Sequence, residues 1–154
     1  MPMSQTIDAN QPDLAQLVAA AGDAVVVSDA EGLITLWNPA AERIFGFSQD
    51  EALGRNLDLI TPERHRQRHW HGYAKTMQTG VTRYGTQLLK VPALHKDGRS
   101  LSIAFTVALL KAPDGTVTGI AAIIRDETER WEEERRLRRR VADLEAERSK
   151  LAIA

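Results

Sequence analysis

The amino-acid sequence predicts an α+β fold with a terminal helix that protrudes from the domain. β-Branched runs near residues 24–37 and 83–124 predict two strands followed, after an interval, by three more. Between them lie three stretches that begin with helix-capping residues and end at glycine. From Asp126 onward the chain is almost wholly charged and predicts one long helix. The predicted order is therefore two strands, short helices, three strands and a long helix.

The composition limits the functions open to the chain. Its 154 residues and net charge of −1 are typical of one globular domain and argue against direct binding of nucleic acid. The absence of cysteine excludes disulfides, cysteine-ligated zinc, iron–sulfur clusters and a thiol nucleophile. No apolar run approaches the roughly 20 residues that span a bilayer, and the first residues lack the features of a signal peptide. We therefore expect a cytoplasmic protein with no membrane partner.

The N-terminal part of the chain predicts a disordered segment, a helix and a hairpin. Residues 1–11 are polar and are predicted to be disordered. Apolar residues at helical spacing predict a short amphipathic helix over residues 12–21. Two strand-like runs, 24–29 and 33–37, are joined by turn-forming residues at 29–32 and predict a β-hairpin.

Three helices are predicted between the hairpin and the next strands. An Asn-Pro pair at 38–39 begins a helix that should end at the next glycine. A Ser-x-x-Glu capping box at residues 48–51 begins a one-turn helix. Thr61, as a cap before Pro62, begins a longer helix that should stop at Gly80.

Three strands complete the predicted domain. Strand-like runs cover residues 83–92, 100–110 and 117–124, and glycine-containing turns separate them, so they should pair as an antiparallel meander. The predicted organisation is therefore a disordered start, a domain over residues 12–130 and a coiled-coil helix over residues 131–154.

Five segments of the sequence resemble those of a PAS domain, a small sensory module of bacterial signalling proteins. They are, in chain order, residues 29–32, 37–47, 51–55, 96–98 and 125–130. The resemblance implies a five-stranded antiparallel sheet with one face covered by helices that enclose a ligand cleft. It also implies that the segment Asp126-Glu127-Thr128 couples the last strand to an output helix.

The resemblance implies a sensory function. Occupancy of the cleft would be relayed through the C-terminal helix to a downstream signalling protein, either a kinase or a transcription regulator. The alternative is a ligand-free module that only dimerises or docks to such a protein. We do not expect an enzyme, and we predict no catalytic residue. The sequence has no Gly-rich phosphate loop, no Gly-x-Ser-x-Gly elbow and no His-Glu-x-x-His pair.

Members of this family bind flavins, haem, small carboxylates or no ligand. The sequence argues for or against some of these ligands and is silent on others. Blue-light PAS domains carry a reactive cysteine in a Gly-Arg-Asn-Cys motif. The matching residues here are 54–57, and Leu57 stands in place of the cysteine. This replacement excludes photoadduct chemistry, while non-covalent flavin binding and an empty apolar cleft remain open.

The long helix near residues 62–80 is similar to the corresponding helix of the haem-containing PAS oxygen sensors. The resemblance places the axial iron ligand on His69 and the residues that hold the haem propionates on Lys75 and Arg83. A neutral imidazole is a good iron ligand, and buried propionates need cations. Those sensors use an arginine to hydrogen-bond the bound gas, but the matching residue here is Leu89. An apolar distal side implies weak oxygen binding, or a preference for carbon monoxide or nitric oxide.

The apolar stripe of this helix predicts which side faces the cleft. Trp70, Tyr73, Ala74 and Met77 form a stripe centred about 90° from His69. Tyr73 is therefore predicted to line the cleft, and His69 could instead be an ordinary hydrogen-bonded histidine at its edge.

Two other features of the helix have their own explanations. His65 and His69 are four residues apart and could share a metal ion, although no third ligand joins them at a telling spacing. Arg64, Arg66 and Arg68 form a basic patch that is best explained as a solvated helix face.

The C-terminal helix predicts a homodimer. Leu137, Val141, Leu144 and Leu151 recur with spacings of four, three and seven residues, and Arg148 lies between the last two. These positions form a single coiled-coil seam, so we expect a parallel dimer. The alternative is a solvated helix held by Glu–Arg pairs along its own surface.

Overall fold

The computed structural model describes residues 10–82 and 84–153 and shows a five-stranded antiparallel sheet. The order across the sheet is β2-β1-β5-β4-β3, with every neighbouring pair antiparallel. The strands are β1 (Ala24–Asp29), β2 (Ile34–Trp37), β3 (Leu89–Leu94), β4 (Ser100–Lys111) and β5 (Val117–Asp126). The α+β class, the sheet and the meander of the last three strands are thereby confirmed. Apart from residues 10 and 11, the segment predicted to be disordered lies outside the described residues.

Within these described ranges, five helices accompany the sheet. They are α1 (Leu14–Ala20), α2 (Pro39–Phe45), α3 (Gln49–Ala52), α4 (Glu63–Thr79) and α5 (Thr128–Ile153), and a 3-10 turn covers Leu57–Leu59. The predicted capping box is present, because Ser48 Oγ accepts from the Glu51 amide and Glu51 accepts from the Ser48 amide. Within the described part of the chain, no helix combines the length and apolar character that crossing a membrane requires.

Asn38 connects three of these elements through one buried side chain. Its Oδ1 accepts from the amide of Ala41, which caps α2, and from the amide of Val25 on β1. Its Nδ2 donates to the carbonyls of Val18 and Asp23, which tie down the end of α1 and the loop after it. The side chain therefore uses four hydrogen bonds to fix α1 and α2 against the sheet.

The hydrophobic core lies between one face of the sheet, here named the inner face, and helices α2 and α3. Alternate residues of β1 are buried, as the two-residue period of a strand requires. Trp37 and Phe45 pack with ring centroids 5.4 Å apart, and Trp37 Nε1 donates to the carbonyl of Phe47. Ala52 of α3 is also fully buried in this cluster.

The predicted start of the third strand is wrong. The strand begins at Leu89 rather than at residue 83, because Tyr84 to Gln87 form a turn in which Gly85 has a φ of +55°. It also runs past Pro92 to Leu94. A proline is tolerated there because β3 is an edge strand, where a missing amide donor breaks no ladder bond on its open side.

Three predicted helix starts also shift. Helix α1 begins at Leu14, where Asp13 caps it, and α5 begins at Thr128 rather than at Asp126. Thr61 does not cap α4. Its hydroxyl donates to the carbonyl of Leu57 at 2.7 Å, and Pro62 occupies the cap position without a side-chain bond. The local pattern predicts that the Thr61 hydroxyl caps α4, but this hydroxyl instead bonds to the preceding 3-10 turn.

Candidate functional site

Helix α4 packs against the inner face of the sheet, and the region between them is named here the candidate cleft. Tyr73 is buried, and its hydroxyl donates to the carbonyl of Asp29 at the end of β1. Because the one phenolic proton is used in this bond, Ser28 Oγ donates to Tyr73 Oη, at 2.9 Å. Burial raises the pKa of Tyr73, which keeps the phenol protonated. These bonds fasten the middle of α4 to β1.

Trp70 fastens α4 to the β1–β2 turn. Its indole Nε1 donates to Asp58 Oδ1 at 2.7 Å, and its ring lies directly over Gly32. A Cβ at Gly32 would lie 2.3 Å from two ring carbons, and the residue has a φ of +83°. Glycine is therefore required there both by the backbone conformation and by the close approach of the indole.

His69 packs beside both of these anchors, and one of its ring nitrogens makes no hydrogen bond among the described residues. Its ring centroid is 4.8 Å from that of Trp70 and 5.9 Å from that of Tyr73. Its Nδ1 is buried and has no hydrogen-bond partner among the described residues. Burial lowers the pKa of His69 below 6.5, and the carboxylate of Asp58 opposes this only in part. The side chain is thus a neutral, half-buried imidazole that can serve as a ligand.

The inner face of β3, β4 and β5 borders this region and is named here the cleft wall. Leu89 lies directly across from Phe105, and Phe105 from Ile124, so the three side chains point to the same side. Ile124 is buried in the core, whereas Val91 on the same face is 41% exposed. This wall is apolar and only partly covered. Its partly exposed members are Leu89, Val91, Phe105, Val107, Leu109, Ile120 and Ala122.

The structure brings together some of the predicted site residues and not others. His69 and Tyr73 lie on the buried side of α4, and Leu89 lies on the inner face. Lys75 is exposed, and its position two residues from Tyr73 places it about 200° around the helix, away from the cleft. Ala74, predicted in the apolar stripe, is also exposed. Arg83 lies outside the described residues.

Two other interpretations of α4 are a metal site shared by His65 and His69 and a solvated basic face, and the structure bears on each separately. His65 Nε2 accepts from Arg64 Nε at 3.1 Å, and within the described ranges no three His, Cys, Asp or Glu side chains are grouped to hold a metal ion. Arg66 is not merely part of a solvated face. It donates to the carbonyls of Thr61 and Asp58, so it fixes the loop that precedes α4.

Sequence reasoning missed three residues that position the site: Ser28, Gly32 and Asp58. Ser28 had a detectable signal, because it is a hydroxyl residue at an inward position of an otherwise apolar strand. Gly32 was recognised as a turn residue, but its contact with Trp70 joins positions far apart in the chain. Asp58 had no local signal at all.

The segment that connects the sheet to the C-terminal helix is a hydrogen-bonded junction between β5 and α5. The Ser102 amide on β4 donates to Thr128 Oγ1 at 3.0 Å, and the Thr128 amide donates to Asp126 Oδ1 at 3.0 Å. The amide of Glu127 donates to the carbonyl of Ser102. The first turn of α5 is therefore held by the two strands that form the cleft wall.

Comparison with known proteins gives the context of this geometry. The family described as the PAS fold matches residues 13–126. A curated relative, the sensor protein FixL of Bradyrhizobium diazoefficiens, is 49% identical over 47 residues, which is 30% of this chain and 9% of FixL. The oxygen sensor protein DosP of Escherichia coli is 26% identical over 103 residues, which is 67% of this chain and 12% of DosP. The chain thus spans a small fraction of the curated relatives that it matches.

Solved structures agree with this assignment. The PAS domain of a protein from Colwellia psychrerythraea superposes with a TM-score of 0.66 at 23% identity, and the match covers 75% of this chain and 95% of that domain. At this identity the similarity shows the fold alone. The family match, however, covers most of the chain and includes the whole sheet and the α4 wall. The chain therefore belongs to the PAS family.

Proposed function

We propose that the chain is a cytoplasmic sensory module that binds a small ligand or cofactor between α4 and the inner face of the sheet. The single observation that carries the proposal is His69, a neutral and half-buried imidazole whose Nδ1 has no hydrogen-bond partner in the described part of the chain. A buried polar atom without a partner is uncommon and calls for an explanation. A ligand bound beside this ring would provide one.

Haem is the first candidate for this ligand. The similarity of α4 to the haem-containing PAS oxygen sensors supports it, as does the relation to the oxygen sensor protein DosP. His69 fits the role of axial ligand, and the apolar inner face fits a flat hydrophobic ring. When bound, the haem would supply an iron that takes up a diatomic gas. Leu89 would leave the gas side apolar. Lys75 would hold a propionate only after its side chain turned toward the cleft.

The same strands support a relay of cleft occupancy to α5. Phe105 and Ile124 are cross-strand partners on the cleft wall, and β5 ends two residues later at the junction with α5. A ligand that pushes on this wall would act on strands that hold the first turn of α5. A kinase or transcription regulator is the downstream partner that we propose, in keeping with the relation to sensor proteins.

The absorption spectrum of the purified full chain tests the haem proposal. After reconstitution with haem, we expect a Soret band that is lost or strongly shifted in His69→Ala. His71→Ala is the matched control, because His71 lies on the exposed side of the same helix. A wild-type chain that takes up no haem, or a His69→Ala chain with an unchanged spectrum, would overturn the assignment of His69 as the iron ligand.

A ligand-free interaction module is the second candidate, and one observation favours it. Tyr73 bonds Ser28 and Asp29, which fastens part of α4 directly to the sheet. Flavin bound without a covalent bond is the remaining cofactor, since Leu57 occupies the position of the reactive cysteine. Reconstitution with haem and with flavin separates the three cases: a protein that acquires neither chromophore favours the interaction module.

A further inference from the structure

We propose that the basic face of α5, defined here by Arg135, Arg136 and Arg139, docks an acidic segment of a second protein. That segment would place several aspartate or glutamate carboxylates against the three guanidinium groups. The inference goes beyond the sensory function, and it holds whether or not the cleft binds a ligand.

Residues 135–140 of α5 form a dense block of positive charge. Five of the six residues are arginines, and the sixth is Leu137. All six are exposed. The ion pairs that the structure shows along α5 join Arg130 to Glu127 and to Glu134. Within the described residues, none of the five arginines forms an ion pair. The block therefore carries positive charge that its own domain does not neutralise.

The arginines of this block also repel one another. Side chains three or four residues apart lie side by side on a helix, and like charges at these spacings destabilise it. The block contains four such pairs, which are Arg135 with Arg138 and Arg139, and Arg136 with Arg139 and Arg140. An anionic partner would offset this repulsion, so the block favours the binding of negative charge.

Three of the arginines surround a shallow groove on the surface of α5. Arg135, Arg136 and Arg139 line it together with Glu132, and its volume is about 240 Å³. The guanidinium carbon of Arg135 lies 4.7 Å from the centre of the Trp131 ring. A guanidinium that stacks on a ring through its face keeps the N–H groups in its plane available to a carboxylate. The stack therefore holds Arg135 in position as a donor beside the groove.

The groove lies on the opposite side of α5 from its apolar seam. At about 100° per residue, the residues that line the groove are centred about 150° around the helix from Leu137. Leu137 is the first residue of the seam that predicts pairing of two copies. A dimer formed along that seam would leave the basic face open to a different partner.

The lengths of the charged stretches favour an acidic protein segment over a nucleic acid. The basic block covers about 9 Å of helix. Residues 129–134 contain four glutamates and one arginine, a net charge of −3, and residues 143–147 contain three acidic residues, also a net charge of −3. A nucleic-acid strand carries one phosphate per about 3.4 Å of its axis, so a strand lying along α5 would also face these acidic stretches. A short acidic segment would face the arginines alone.

The residue types on this face also suit a protein partner. Tryptophan and arginine are the residues that most often dominate the binding energy of protein interfaces. Trp131 is 47% exposed, and it contacts Arg135 at one end of the groove. The face therefore combines an aromatic anchor with guanidinium donors for carboxylates.

Fluorescence anisotropy with the full chain and two labelled probes tests the proposal. The first probe is an oligoglutamate peptide, and the second is a single-stranded RNA of the same net charge. We expect the chain to bind the peptide with a dissociation constant that rises with salt concentration, because exposed ion pairs are screened by salt. We expect weaker binding of the RNA, because its further phosphates would face the acidic stretches.

The double variant Arg135→Gln/Arg139→Gln removes two charges from the groove and conserves helix propensity. We expect the dissociation constant for the peptide to rise about tenfold. Arg43→Gln/Arg68→Gln is the matched control, because it removes two exposed arginines from α2 and α4. Its dissociation constant should stay within about twofold of the wild-type value. Circular dichroism checks that each variant keeps its helices.

Four results would overturn the proposal. They are a wild-type chain that does not bind the peptide at low salt, tighter binding of the RNA than of the peptide, a groove variant that binds the peptide like wild type, and equal weakening in the groove and control variants. The last result would show that the peptide responds to the net charge of the chain rather than to the basic face of α5.

Discussion

His69 is the residue on which the proposed ligand chemistry depends, and its protonation is linked to folding. Burial holds the pKa of His69 below 6.5 in the folded chain, so the folded state resists protonation more than the unfolded state does. At a pH above 6.5 neither state binds the proton. As the pH falls toward the lowered pKa, the unfolded state gains the proton first, and the stability contributed by the neutral ring is lost.

We therefore predict that the ligand-free chain becomes less stable as the pH falls below 6.5 and that His69→Leu removes part of this pH dependence. Urea unfolding at a series of pH values measures the effect as a change in the unfolding free energy with pH. His71→Leu should keep the wild-type dependence, because His71 is exposed. Equal slopes for wild type and His69→Leu would show that the buried ring is not linked to folding.

Tyr73 contributes at the same scale through its hydroxyl. Tyr73→Phe removes the bonds to Ser28 and to the carbonyl of Asp29, and that carbonyl keeps only the bond from the Gly32 amide. We expect it to lower the free energy of unfolding by about 1–3 kcal/mol. Ser28→Ala should cost less when Tyr73 is already phenylalanine, because the two residues share one bond. Urea unfolding of the four chains measures this coupling. Strictly additive losses would mean that the bond contributes nothing.

At the scale of the elements, the junction between β5 and α5 is the connection that the proposed relay requires. Three backbone and side-chain bonds converge there, and two of them involve Thr128. A helix that was only covalently attached to β5 could swing freely. The bond from the Ser102 amide to Thr128 instead ties its first turn to β4, which also forms the cleft wall.

We predict that Thr128→Ala exposes the Ser102 amide and speeds its hydrogen exchange by about tenfold or more, since the amide loses its acceptor. Hydrogen exchange measured by NMR gives the rate at this residue. Thr118→Ala is the control, because the hydroxyl of Thr118 donates to the carbonyl of Leu110 and, among the residues that the structure describes, accepts from no amide. Unchanged exchange at Ser102 in Thr128→Ala would show that the strands hold the helix without the threonine.

At the scale of the whole molecule, one sheet connects the proposed input at the cleft to the proposed output at α5. Strand β5 lies at the centre of the sheet between β1 and β4, so it contacts both the anchors of α4 and the junction. Arg125 near its end forms a two-point ion pair with Asp23, at 2.9 and 3.0 Å. Exposed ion pairs add little stability, so we assign this pair a positioning role for the loop before β1.

Much of this architecture could be predicted because its signals are local. Asn38 and Ser48 begin helices through bonds to amides three residues away, and α2 and α4 end at Gly46 and Gly80, which have positive φ values. Strand alternation and the turns of the meander are equally local. A hydrogen bond or backbone preference that involves only a few neighbouring residues is the same in any fold, so it can be predicted from the sequence.

The tertiary structure alone decided which side of α4 faces the sheet. On a helical wheel, the apolar stripe of α4 is centred away from His69. In the structure, the bond between Tyr73 and Ser28 joins residues 45 positions apart, and it places the side of α4 that carries His69 and Tyr73 toward the sheet. Asn38 likewise caps a helix by local rules, yet its bonds to Val18 and Val25 exist only once three elements meet. The sequence determined the elements and the family. Packing between distant segments determined the burial of His69, because desolvation depends on neighbours that no local pattern contains.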